Sequence, residues 1–153
     1  RLHAFTTCDE EDDVVYINQI DVICRRLKEC KDSNRAIAVL YNAGYDSVRE
    51  DIPCLQLIQA HIIDERRLVL TVFFRSNDIY GAFPSNMLFI SHIGLCIAQQ
   101  LKEYYPLLKF EYIDYHVSSA HIYETDIDTV LKIRKVDNET CQKIKERSKN
   151  GKY

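Results

Sequence analysis

Two apolar runs, residues 55–63 (LQLIQAHII) and 68–74 (LVLTVFF), lie on either side of a polar tetrapeptide, Asp64-Glu65-Arg66-Arg67. β-Branched and aromatic side chains favour extended chain, and four polar residues suit a hairpin loop. The stretch therefore predicts two long antiparallel strands. Such a hairpin is stable only if one face is buried against other elements, and the flanking segments supply them. From residue 18 to 30 the apolar residues Ile20, Ile23, Cys24 and Leu27 recur at helical spacing, with Asn18 placed to cap the start. Residues 83–101 (FPSNMLFISHIGLCIAQQL) begin with Phe83-Pro84 and are apolar around much of the helical circumference, as a largely buried helix is. Residues 36–41 (AIAVLY) end at the turn signal Asn42-Ala43-Gly44 and read as a buried strand; residues 108–117 (LKFEYIDYHV) alternate as a strand does. Residues 126–134 read as a short amphipathic helix, 138–149 as a charged surface helix, and the acidic stretch 9–13 as a solvated loop. The expected architecture is α+β: a mixed, largely antiparallel sheet flanked by helices, in one domain over residues 1–153.

With 46% apolar and 28% charged residues, the chain has the means to bury a core and lacks the composition of a disordered segment. Its formal net charge of −3 argues against a general nucleic-acid binder, which needs a basic excess. Any anionic ligand must then be held by a few placed arginines. No apolar run approaches the roughly 20 residues of a membrane-spanning helix. The first residues, RLHAFTTCDEEDD, have neither the basic start nor the apolar stretch of a signal peptide. Six cysteines (Cys8, Cys24, Cys30, Cys54, Cys96, Cys141) are irregularly spaced, with no CxxC pair. Reduced thiols in a cytoplasmic protein fit that pattern better than a disulfide framework or a zinc site. His61, His92 and His116 show no metal-ligand spacing, and no P-loop, dinucleotide fingerprint or zinc-hydrolase motif is present. The chain opens at Arg1-Leu2-His3-Ala4-Phe5 without an initiating Met, as though it began inside a longer protein.

Few residues stand out as chemistry. Taken alone, Cys54 is one cysteine among six, and an intracellular cysteine is more often a small buried apolar residue than a nucleophile. Arg75-Ser76-Asn77-Asp78, where the second hairpin strand ends, is more informative. A guanidinium fork and a neighbouring hydroxyl are what a phosphate needs, and a guanidinium close to a thiol favours its thiolate. The bland alternative is an end-of-strand arginine paired with Asp78. Asn86, in the first turn of the long helix, is either a capping amide or one able to donate to and accept from a pyrimidine edge. His121 and Tyr123, two apart on extended chain, offer polar tips to a sugar hydroxyl or are half-buried packing residues. Tyr104, Tyr105, Tyr112 and Tyr115 read as packing.

The order of these features is more specific than any one of them. Ile52-Pro53-Cys54, then Phe74-Arg75-Ser76-Asn77-Asp78-Ile79-Tyr80-Gly81-Ala82-Phe83-Pro84-Ser85-Asn86, then Ala120-His121-Ile122-Tyr123 resemble the thymidylate synthase family. Upstream, Gln19-Ile20 and Asp32-Ser33-Asn34-Arg35 with Asn42 resemble the family's helix and the arginine-bearing turn that follows it. The resemblance runs from about Leu2 to Ile127. It implies the family's fold and a homodimer formed through the sheet face. It also implies a reaction in which Cys54 adds to ring carbon six of deoxyuridylate (dUMP), making carbon five nucleophilic toward a methylene group carried by a reduced pterin. Arg75 and Ser76 then resemble phosphate ligands, and Arg35 resembles an arginine reaching the phosphate from the other subunit. Asn86 resembles the base reader, His121 and Tyr123 the deoxyribose ligands, and Asp78 an acid that helps hold the folate. No metal is implied.

The chain also departs from the pattern. The family usually has two arginines where Asn34-Arg35 stand, and often His where Leu55 follows the nucleophile. Cys54-Leu55-Gln56 resembles an archaeal branch, for which the donor would be a methanopterin relative instead of methylenetetrahydrofolate. The family's N-terminal phosphate arginine and proton-managing glutamate would precede Arg1, and its C-terminal closing segment is not recognisable. Two other readings stay open. One is a pyrimidine nucleotide hydroxymethylase, for which a cytosine-specific site would carry a carboxylate at the Asn86 position. The other is a nucleotide-binding or subunit-interaction remnant without turnover.

Overall fold

The structure, a computed structural model, describes residues 17–134 and 138–150. The acidic stretch 9–13 and Cys8 lie outside the described residues.

Helix α1 (Gln19–Glu29) starts where Asn18 accepts the Ile20 N–H in its side chain, as its sequence signals, and buries Ile23, Cys24 and Leu27. Strands β1 (Ile37–Val39), β2 (Leu55–Ile63), β3 (Arg67–Phe74) and β5 (Lys109–Val117) form one sheet in the order β1-β2-β3-β5. The first two pairings are antiparallel and β3–β5 is parallel. The parallel return is made by α3 (Phe83–Gln100), which crosses over the sheet. Two short strands, β4 (Asn77–Asp78) and β6 (Ala120–His121), pair in parallel beyond the ends of β3 and β5. After a 3-10 turn at Glu124–Asp126 come α4 (Ile127–Arg134) and α5 (Asn138–Asn150). A further short helix, α2 (Ala43–Asp46), occupies what the sequence marks only as a turn; Asn42 caps it through the Gly44 N–H. The α+β architecture and the mixed, largely antiparallel sheet are those expected.

Strand alternation explains the layering. Ile58, Ala60 and Ile62 of β2 and Leu68, Leu70, Val72 and Phe74 of β3 point to one face and form the core with α1 and α3. Gly94 lets α3 lie directly on β5: a Cβ there would come within 2.4 Å of the Phe110 ring. Tyr105, just past α3, donates its hydroxyl hydrogen to the Leu27 carbonyl at 2.7 Å and ties that end to α1. On the other sheet face Val39, Phe73 and Tyr112 are exposed, while Val69 is buried. At the β1 edge, Gln19 takes both backbone groups of Val39, accepting its N–H at 2.8 Å and donating to its carbonyl at 2.9 Å. The hairpin turn places Asp64 and Glu65 at φ of 53° and 56°, and Arg67 closes it with an ion pair to Asp64.

Candidate active site

The C-terminal end of β3 and the N-terminal end of β2 meet because the hairpin is antiparallel, which sets Cys54 beside Arg75. Arg75 donates its backbone N–H to the Cys54 carbonyl at 2.9 Å. Its Nε–H reaches the Pro53 carbonyl at 3.2 Å and Nη2 the Ile52 carbonyl at 2.9 Å. Pro53 also accepts from the Gln56 amide, and the pairing register slips between Leu55 and Leu57, a bulge one residue past the cysteine. The segment leading into Cys54 is therefore fixed by side chains, while Cys54 itself is exposed. Arg75 does not pair with Asp78. Arg75 is exposed, and its bonds to the Pro53 and Ile52 carbonyls use only part of a guanidinium that carries five N–H donors.

Past Arg75 the chain runs alongside the segment that follows β5. Ser118 donates to the Phe74 carbonyl at 3.0 Å, Asn77 to Ser119 at 2.9 Å and Ile79 to His121 at 2.9 Å. This pairing brings Ser76 Oγ to 3.3 Å from His121 Nδ1. His121 in turn meets Tyr123 edge-on, with ring centroids 5.1 Å apart. Asp78 accepts the Tyr80 N–H through Oδ1 at 3.1 Å; its Oδ2 faces Gly81, where a Cβ would sit 2.4 Å away.

Asn86 enters from the first turn of α3. It caps nothing: the N-cap, Ala82, makes no side-chain bond. Instead Asn86 Nδ2 donates to Asn77 Oδ1 at 3.0 Å, and Asn77 Nδ2 donates to the Tyr115 hydroxyl at 2.9 Å. Asn77 is only 2% exposed, one of two buried polar or charged residues among those described. No local pattern in the sequence signals this burial; a buried asparagine must find partners, and Asn86 and Tyr115 supply them. Tyr115, read as packing, does pack on Phe74 and Phe83 as well.

The structure thus joins Cys54 to Arg75, Ser76 to His121 and Tyr123, and Asn86 to Asn77, all around the end of the sheet where β3 leaves it. A cleft of about 410 Å³ is lined by Gln56, Phe73, Phe74, Arg75, His116, Val117 and Ser118. Arg35 stands apart. It precedes Ala36, whose carbonyl accepts from Ala60; Ala60 lies six residue steps along the strand from Cys54, roughly 20 Å. A larger groove of about 1100 Å³ between α1 and β1 holds none of the candidate residues. Among the described residues no cluster of His, Cys, Asp or Glu could hold a metal ion, and Cys24, Cys30, Cys54 and Cys96 are free thiols. No helix among them is long and apolar enough to cross a membrane.

Comparison with known proteins bears on the whole chain. Residues 4–150 match the profile of the thymidylate synthase family. A protein of Methanocaldococcus jannaschii provisionally named a thymidylate synthase is 36% identical over 138 residues, covering 86% of this chain and 57% of its own. One from Methanothermobacter marburgensis, named likewise, is 31% identical over 78% of this chain and 51% of its own. The solved thermostable thymidylate synthase A from Bacillus subtilis superposes with a TM-score of 0.65 at 27% identity, over 86% of this chain and 44% of that one. The chain spans about half the length of the curated relatives it matches.

Proposed function

The chain belongs to the thymidylate synthase family, and on that premise we propose that it carries the nucleotide half of a cytoplasmic methyltransferase that converts dUMP to dTMP through a covalent Cys54 adduct. The observation that carries this reading is the Cys54–Arg75 pairing, with Ser76, His121 and Asn86 arrayed around the same end of the sheet. Arg75 and Ser76 would hold the phosphate, with Arg35 reaching it from the second subunit of a homodimer. His121 and Tyr123 would hold the deoxyribose, and Asn86 would read the base. The roughly 20 Å between Arg35 and Cys54 along one chain supports a role for Arg35 in a neighbour's site. The sheet face that exposes Val39, Phe73 and Tyr112 suits a two-fold interface.

In the reaction the Cys54 thiolate bonds to ring carbon six. The displaced electron pair moves through carbon five to the carbonyl oxygen, where an Asn86 N–H stabilises the developing charge. Carbon five then attacks the one-carbon unit and loses its proton to a base, the bond from that unit to its carrier breaks, and hydride delivered to the resulting exocyclic methylene expels the Cys54 thiolate as product forms. A reduced pterin, methylenetetrahydrofolate or a methanopterin analogue, would supply both the carbon and the hydride. Asp78 has the chemistry to hold it: one carboxylate oxygen is tied to Tyr80 and the other stands over the open surface of Gly81. Neither a metal nor a nucleic acid enters this scheme.

The test is incubation with fluorodeoxyuridylate and the methylene donor, followed by mass spectrometry. A stable adduct that disappears in Cys54→Ser supports the reading; labelling that survives the substitution defeats it. Pyrimidine hydroxymethylation is the second reading, and the amide of Asn86, in place of a carboxylate, disfavours a cytosine substrate.

A further inference from the structure

Cys54 sits between two planar peptide units, and the tilt of those two planes fixes where its Cβ points. The unit after it is held at the Cys54 carbonyl, which accepts the Arg75 backbone N–H at 2.9 Å. The unit before it is held at the Pro53 carbonyl, and there two side chains converge. Arg75 Nε–H donates to that carbonyl at 3.2 Å from the end of β3, and Gln56 Nε2 donates to it from β2. With both planes held, the choice of χ1 rotamer is the main freedom left to the thiol. Cys54 is exposed, so packing cannot stand in for these bonds.

The bulge in β2 frees Gln56 for this contact. Leu55 faces Phe74 and Leu57 faces Phe73, so Gln56 is the extra residue and has no opposite number on β3. Its backbone stays anchored toward β1, where its carbonyl accepts the Leu40 N–H at 2.8 Å. The half-buried carboxamide reaches back three residues along its own chain. A backbone carbonyl can only accept, so the amide is fixed with its NH2 group toward Pro53; turned over, it would set oxygen against oxygen. Under the function proposed above the phosphate draws on the Arg75 guanidinium, and a hold resting on Arg75 alone would loosen as the nucleotide enters. We infer that Gln56 is a positioning residue: it holds the Pro53–Cys54 peptide plane, and through it the aim of the Cys54 sulfur at the pyrimidine ring, whatever Arg75 binds.

This inference rests on the proposed nucleotide function, and the experiment separates the two. Fluorodeoxyuridylate and the methylene donor are added to the parent chain, to Gln56→Met and to Gln56→Asn. The rate of Cys54 adduct formation at saturating nucleotide is followed by mass spectrometry. Met matches the length of the arm but has no donor; Asn keeps the amide on an arm one carbon shorter. Each is expected to slow adduct formation about tenfold, the scale of one lost hydrogen bond. The dissociation constant for dUMP and the rate at which iodoacetamide alkylates Cys54 are expected to stay at the parent's values, since neither depends on the sulfur's aim at a ring. Thermal unfolding identifies a variant that fails to fold, and either folded variant is decisive. A folded variant that forms the adduct at the parental rate overturns the role of Gln56 and leaves the nucleotide function standing. So does one whose loss is matched by weaker dUMP binding or by slower alkylation, which report binding and exposure instead of aim. A parent chain that forms no adduct at Cys54 overturns the proposed function and this inference with it.

Discussion

Arg75 holds the approach to Cys54 at three successive carbonyls, its backbone on Cys54 and its guanidinium on Pro53 and Ile52. The same side chain that is proposed to meet the phosphate therefore also shapes the strand that presents the thiol. Arg75→Lys keeps the charge but cannot span two carbonyls from a planar fork. Its expected effect is a stability loss of about 1 kcal/mol and weaker dUMP binding together, read from the denaturant midpoint and a binding titration. Normal stability with weak binding would confine Arg75 to the ligand.

Gly94→Ala drives a methyl group into the Phe110 ring, where the closest approach would be 2.4 Å. The ring is hemmed in by α3 and the sheet, so α3 must lift. A cost of about 1–3 kcal/mol is expected from such overpacking, measured as a fall in Tm.

Cys24 lies inside the core, and burial pushes its thiol from 9.0 up to about 11; Asp21 adds to the rise and Lys28 opposes it. The folded state binds the proton more tightly than the unfolded chain. The resulting stability is fully present below pH 9.0 and is lost as the pH rises through about 11. The alkaline fall in unfolding free energy over that window, at most about 2 kcal/mol from this thiol, should be smaller in Cys24→Ala; Tyr105, whose hydroxyl is also pushed up by burial, accounts for part of what remains. In the native protein at pH 8 iodoacetamide should modify exposed Cys54 and spare Cys24.

Gly81→Ala places its methyl against Asp78 Oδ2 and forces that carboxylate to turn away from Tyr80. Binding of the reduced pterin is expected to weaken about tenfold, the equivalent of roughly 1.4 kcal/mol, with dUMP binding unchanged. Equal loss of both ligands would remove Asp78 from the pterin site.

Phe73, 42% exposed on the sheet face opposite the core and stacked on His116, is the side chain to charge if that face pairs two subunits. Phe73→Glu should leave thermal unfolding of the monomer within about 0.5 kcal/mol, as exposed positions do, while sedimentation shows the dimer gone. A dimer that persists places the interface elsewhere.

Much of the fold was legible because strong local signals agreed with it. The runs around Asp64-Glu65 gave β2 and β3, and Asn18 with Ile20, Ile23 and Leu27 gave α1. What stayed hidden was settled by pairing across the chain. Neither Asn77-Asp78 nor Ala120-His121 is long enough to read as a strand; each forms only because the parallel run of β3 and β5 continues past a kink. Nothing beside Asn77 in the sequence marks it for burial, and its partners, Asn86 and Tyr115, lie nine and 38 residues away. The candidate residues themselves were found by their order along the chain, whereas their grouping into a thiol–guanidinium pair and a relay of amides is a property of the folded chain alone.

The carboxamide of Gln19 on Val39 has a further effect on how copies of this molecule can meet. A strand arriving at β1 would find the outward N–H and C=O of Val39 already spoken for, so this short margin is a poor template for a pairing strand. Edge-to-edge growth is thereby left to the opposite margin, the nine-residue β5.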